Sequence, residues 1–149
     1  RLTLLKCGTH PNPEADIGHH TFTYSFMPHS GTWREGHVVK EAFALNCPLK
    51  AYAASGNGAL PSEYSFIASG CENVVISAVK KACDGDDIIV RVYEAFGRRT
   101  NAVIKTGFDI NKVYESSFIE NENFCSVPAE KNSFAFTVKP FEIKTFRIK

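Results

Sequence analysis

Short runs of alternating apolar and polar residues, each closed by turn-forming residues, constrain this chain more than any other feature. Strict alternation puts every second side chain on one face of an extended strand, so the pattern specifies half-buried sheet and not helix. His20, Phe22, Tyr24 and Phe26 share one face of such a run, with His19, Thr21, Thr23 and Ser25 on the other. Residues 64–69, 74–80 and 88–95 are predicted as three further strands. Between the last two, the Asp84-Gly85 pair is a strong hairpin signal within Cys83-Asp84-Gly85-Asp86-Asp87. Residues 100–106 continue the meander after Gly97-Arg98-Arg99. Residues 133–138 and 142–148 close it, with Pro140 between them, where no ladder donor is needed.

One segment departs from this period. Val38, Val39, Ala42, Phe43 and Asn46 recur at three- and four-residue spacing, which predicts a short helix over 34–45. Pro48 stops it, because a proline disfavours helical geometry in the residue before it. The small, glycine-rich stretch 53–61 reads as a mobile surface loop. These elements add up to an all-β chain, an antiparallel β-sandwich with one short helix, forming a single domain over 1–149.

A chain of 149 residues is long enough to bury a core, and 44% hydrophobic with 12% aromatic residues supplies one. The formal charge of +1 arises from 17 basic and 16 acidic residues, with no basic run longer than a pair. A nucleic-acid partner needs a concentrated basic face and is disfavoured. No apolar run approaches the ~18–20 residues that cross a bilayer, so no membrane partner is expected. The five cysteines are odd in number and include no C-x-x-C pair, which reads as reduced thiols and a cytoplasmic compartment. The opening on Arg1 and the apolar run Leu2-Thr3-Leu4-Leu5 reads as the start of a piece of a longer protein, with no secretory signal.

The residue types that carry chemistry do not assemble into a known catalytic spacing. His19 and His20 are adjacent, point to opposite faces of a strand, and cannot both ligate one ion without distortion. No H-E-x-x-H set is present, and hydrogen-bonded histidines at a domain interface or strand edge are the favoured reading over a metal. Arg91 and Glu94, in R-V-Y-E, lie three apart on a strand and need separate partners, so no acid/base pair is evident. Asp84, Asp86 and Asp87 lack the ligand pattern of a calcium loop and read as a solvated hairpin tip. No G-x-S-x-G and no phosphate loop occur. Trp33, Tyr24 and Tyr93 are of a type that stacks on sugar rings, although single aromatics more often pack in cores.

Ala15, Asp16, Gly18, His20, Phe22, Tyr24, Pro28, His29, Gly31 and Trp33 fit the form A-D-x-G-x-H-x-F-x-Y-x-x-x-P-H-x-G-x-W. That form resembles a stretch of the C-terminal β-domain of class II α-mannosidases, glycoside hydrolase family 38. The segments A-F-A-L-N-C-P-L from Ala42, V-V-I-S-A-V-K-K-A from Val74, R-V-Y-E-A-F-G from Arg91 and K-P-F-E-I-K-T-F from Lys139 are similar to others in the same family order. Cys83 and Asp84 stand where the family usually has acidic residues, and the likeness is strongest to the bacterial and vacuolar branch.

The resemblance implies a parent enzyme that removes terminal α-linked mannose with retention, using a zinc ion and an aspartate nucleophile. Both would belong to an N-terminal catalytic barrel of the same polypeptide, which is the implied partner, with a mannose-containing glycan as substrate. No residue here matches those motifs, so no catalytic residue, metal ligand or cofactor is expected within this chain. Asp16, Gly18, His20, His29 and Trp33 are instead the candidate cleft-rim or domain-interface residues. The alternative expectation is an independent carbohydrate-binding β-sandwich.

Overall fold

The computed structural model describes residues 2–54, 56 and 58–149, in two compact units, 1–48 and 49–149. Every strand lies in the second unit.

Among the described residues of the second unit, nine strands form two antiparallel sheets. They are β1 (Ile67–Ser69), β2 (Val74–Lys81), β3 (Ile88–Glu94), β4 (Thr100–Thr106), β5 (Val113–Ser116), β6 (Asn123–Val127), β7 (Ala129–Glu130), β8 (Ser133–Val138) and β9 (Ile143–Ile148). One sheet runs β1-β4-β8-β7 and the other β2-β3-β9-β5-β6. Alternation decides which side chains meet between them. Ala102, Ile104, Phe134 and Val138 come from the first sheet, and Val90, Val92, Val113, Phe146 and Ile148 from the second. Phe146 joins the sheets directly, with its ring 5.0 Å from that of Phe134 and 4.4 Å from that of Phe136. Burial of each such aromatic or branched side chain contributes about 1.5–3 kcal/mol, so this interface is the main source of the sandwich's stability.

The β2–β3 hairpin turns where the Asp-Gly pair requires, and the Ala82 amide donates to the Asp87 carbonyl at 2.8 Å. β2 also carries a bulge between Ile76 and Ala78, and the Ser77 hydroxyl there donates to the Arg91 carbonyl at 3.2 Å. The hairpin tip is more than a solvated turn. The β3–β9 register sets Arg147 opposite Ile89, close below the turn, and its guanidinium pairs with both Asp84 and Asp87. Asp86 alone stays 95% exposed, paired with Lys81 at 2.5 Å. The described part of 53–61 is exposed and irregular, and Ser55 and Asn57 lie outside the described residues.

Among its described residues the first unit contains one regular element, α1 (Val38–Asn46). It starts later than the periodicity predicts. Thr32 and Glu35 form a capping box, in which the Thr32 amide donates to Glu35 Oε2 at 2.7 Å and the Glu35 amide to Thr32 Oγ1 at 3.4 Å. These hydrogen bonds to Thr32 hold the Glu35 carboxyl below its ordinary pKa. The turn they open does not run on as helix, because His37 adopts φ 53° and interrupts the ladder. At the other end Cys47 caps the Phe43 carbonyl at 2.8 Å, one residue before Pro48.

The strand expected over 19–26 does not form, and residues 18–29 carry no regular structure. A strand exists only when its backbone groups find a ladder partner, and none is supplied among the described residues. None of the described residues of 1–48 is buried. Ordering a residue costs ~1–2 kcal/mol of backbone entropy, and no fully buried side chain among the described residues of this unit helps to offset that. Among the described residues, no helix is long and apolar enough to cross a membrane.

Candidate functional site

Asp16, Gly18 and His20 occupy one short exposed loop. Asp16 adopts φ 61° and Gly18 φ 153°, and this turns the chain so that His20 folds back. Nε2 of His20 lies 2.6 Å from the Asp16 carbonyl oxygen, so the aspartate backbone, and not its carboxylate, is the histidine's partner. His19 points elsewhere, with Nε2 3.2 Å from the Thr21 hydroxyl. The two neighbouring histidines thus serve different groups, as adjacent positions in extended chain dictate.

His29 and Trp33 belong to the turn that precedes α1. Nδ1 of His29 lies 3.2 Å from the Ser30 carbonyl oxygen. Its ring rests on the backbone of Gly36, where an added β-carbon would come within 2.5 Å of the imidazole. Glycine at 36 is therefore a packing requirement of His29. The Arg34 guanidinium sits 4.7 Å over the Trp33 ring, which is 38% exposed. The hydrogen bonds of His20 and His29 are each local, and among the described residues no three His, Cys, Asp or Glu side chains converge as a metal site.

The structure adds a site that single residue spacings do not reveal. Glu94, only 1% exposed, ends β3 on the same face as Val90 and Val92. Its Oε1 accepts from Asn73 Nδ2 at 2.8 Å and from the Phe96 amide at 2.8 Å. Its Oε2 accepts from the amides of Gly97 at 2.7 Å, Arg98 at 3.2 Å and Phe141 at 3.0 Å. Burial pushes this carboxyl's pKa up, but the hydrogen bonds from Phe141, Asn73, Phe96 and Gly97 outweigh it and hold the value at about 2. One ionised side chain thereby ties the start of β2, the β3–β4 turn and the β8–β9 turn together. Arg91 goes to a different set, as opposite strand faces require: Thr145 Oγ1 at 3.2 Å, the Phe118 carbonyl at 2.7 Å and Glu120 at 3.6 Å.

Chemically, the Glu94 cluster is saturated. Its acceptor sites are taken by N–H groups, and it has no second carboxyl at the ~5–9.5 Å separation that glycoside hydrolysis needs among its hydrogen-bond partners. It organises loops and does not transfer protons. The fold and this cluster define an antiparallel β-sandwich with a buried polar hub, a class that the comparisons with known proteins narrow to one family. Residues 73–146 match the family described as "Glycosyl hydrolases family 38 C-terminal beta sandwich domain". The chain is 34% identical to Alpha-mannosidase G of Dictyostelium discoideum over 98% of its own length and 14% of that protein's. It is 29% identical to Alpha-mannosidase 2C1 of Mus musculus over 97% of its length, again 14% of the relative. Alpha-mannosidase of Saccharomyces cerevisiae is 27% identical over 99% of the chain and 15% of that protein. The chain belongs to the C-terminal β-domain of the class II α-mannosidases, glycosyl hydrolase family 38.

Proposed function

We propose that this chain is the C-terminal accessory region of a longer α-mannosidase, whose catalytic domain, elsewhere in the same polypeptide, removes terminal α-linked mannose from glycans with retention. The observation that carries this reading is the match along 98% of the chain to a protein named as an α-mannosidase, of which the chain makes up only 14%. Zinc belongs to that catalytic domain in this reading. The residues here do not fit it, since the histidines engage local carbonyl and hydroxyl groups and no donor set converges among the described residues, so no step through zinc is assigned to this chain. The exposed group Asp16, Gly18, His20, His29 and Trp33 is assigned to the surface that meets the catalytic domain near its cleft. The odd number and wide spacing of the cysteines support a reducing, cytoplasmic location.

The test compares the isolated chain with the full-length polypeptide on an aryl α-mannoside, with and without added zinc. Turnover is expected from the full-length protein alone. Activity that stays with the isolated chain through stringent purification overturns the accessory assignment.

A further inference from the structure

Residues 20–26 have every attribute of a strand except a neighbour. Phe22, Tyr24 and Phe26 alternate along one side and are 48%, 64% and 87% exposed. On the other side, Ser25 and Met27 line a cavity of about 300 Å³ with Val38, Ala42 and Leu45 of α1. The segment is therefore backed by the helix on one face and open on the aromatic face. Among the described residues, no backbone–backbone hydrogen bond reaches residues 19–29.

Exposed sheet edges in stable proteins are protected by charge, proline or a bulge. Between Asp16 and Pro28 this segment has no aspartate, glutamate, lysine, arginine or proline, so it lacks each of those devices where the aromatics lie. An unprotected run of β-branched and aromatic residues is built to be covered. Two facts say by what. The described residues of 1–48 contain no buried side chain of their own, and the chain accounts for only 14–15% of the length of its relatives, so most of the polypeptide in the proposed parent lies outside it.

We infer that residues 20–26 are a strand contributed to a β-sheet whose remaining strands lie in the same polypeptide outside residues 1–149, with Phe22, Tyr24 and Phe26 packed on the apolar face of that domain. The inference rests on the reading of the chain as part of a longer enzyme, but its readout is independent of mannosidase activity. Ladder formation gives partners to backbone amides and carbonyls of 20–26, and α1 covers the opposite face of the added strand. The occupant recognises the segment through main-chain hydrogen bonds and an apolar surface, the chemistry of strand addition.

The experiment is hydrogen exchange, read by mass spectrometry on peptides covering 20–26, in the full-length polypeptide and in the isolated chain. Amides of 20–26 are expected to exchange at least 100-fold more slowly in the full-length protein, while β3 and β9 are protected in both. Substituting Phe22→Ser and Tyr24→Ser together in the full-length protein should restore fast exchange in 20–26 and leave β3 unchanged. Fast exchange of 20–26 in the full-length protein, with β3 and β9 still protected, overturns the inference. Protection in the isolated chain that rises with its concentration overturns it too, by assigning the edge to a second copy. Loss of mannosidase activity without loss of this protection would count against the functional reading alone.

Discussion

The amide of Phe141 donates to Glu94 Oε2 at 3.0 Å, joining the turn between β8 and β9 to the end of a strand 47 residues earlier. Phe141 holds φ 57° to make this bond, and its ring lies over Gly97, which itself has φ 75°. Two turns distant in sequence are thus shaped by one carboxylate.

Removing that carboxylate takes the acceptor from five N–H donors, two in buried and three in part-buried hydrogen bonds. Glu94→Ala is expected to destabilise the chain by about 3–5 kcal/mol, the cost typical of breaking a buried, fully hydrogen-bonded charge. Urea denaturation followed by fluorescence measures it. The more exposed Glu142→Ala should cost less, and equal effects for the two would contradict the hub.

Acid should reveal the same group. The folded pKa of Glu94 is lowered to about 2 from 4.5, so the unfolded chain binds the proton more readily. Its contribution is fully present above pH ~4.5 and is lost as pH falls toward 2, about 3 kcal/mol in all. Stability curves between pH 7 and 2 should fall steeply in that window for the parent sequence and more shallowly for Glu94→Gln.

Gly97 should resist any side chain. A β-carbon there would lie 2.7 Å from Phe141 Cζ, and the positive φ adds backbone strain. Gly97→Ala is expected to cost ~1–3 kcal/mol. In a double-mutant cycle with Phe141→Ala the steric part should vanish and the backbone part remain, giving a coupling clearly different from zero.

The Asp16–His20 loop should matter to the whole enzyme and little to the sandwich. In the full-length protein, Asp16→Ala or His20→Ala is expected to lower kcat/KM more than tenfold, about 1.4 kcal/mol of transition-state stabilisation. The melting temperature of the isolated chain should barely move, because the loop is exposed. Unchanged kinetics together with unfolding of the chain would make the loop purely structural.

Local order set much of this outcome. The alternation in β4 and β8, the Asp84-Gly85 turn and the helical spacing around Ala42 act between near neighbours, so they are legible residue by residue. β5, β6 and β7, with four, five and two residues, are too short to display a period and become strands only because β9, β5 and β8 respectively offer them ladders. The Glu94 cluster was equally hidden, since its donors come from positions 73, 96–98 and 141 and meet only once the turns close. The one sequence signal was a glutamate on the apolar parity of β3, a charge that burial would penalise unless donors surrounded it. Residues 20–26 give the converse case. Their pattern states strand as clearly as β4 does, but pairing is a property of two segments, and side-chain period alone cannot supply the second. Sequence by itself therefore determined which segments favour extended or helical backbone. Tertiary structure decided which of them paired, because ladder hydrogen bonds and buried-charge solvation depend on groups far apart in the chain.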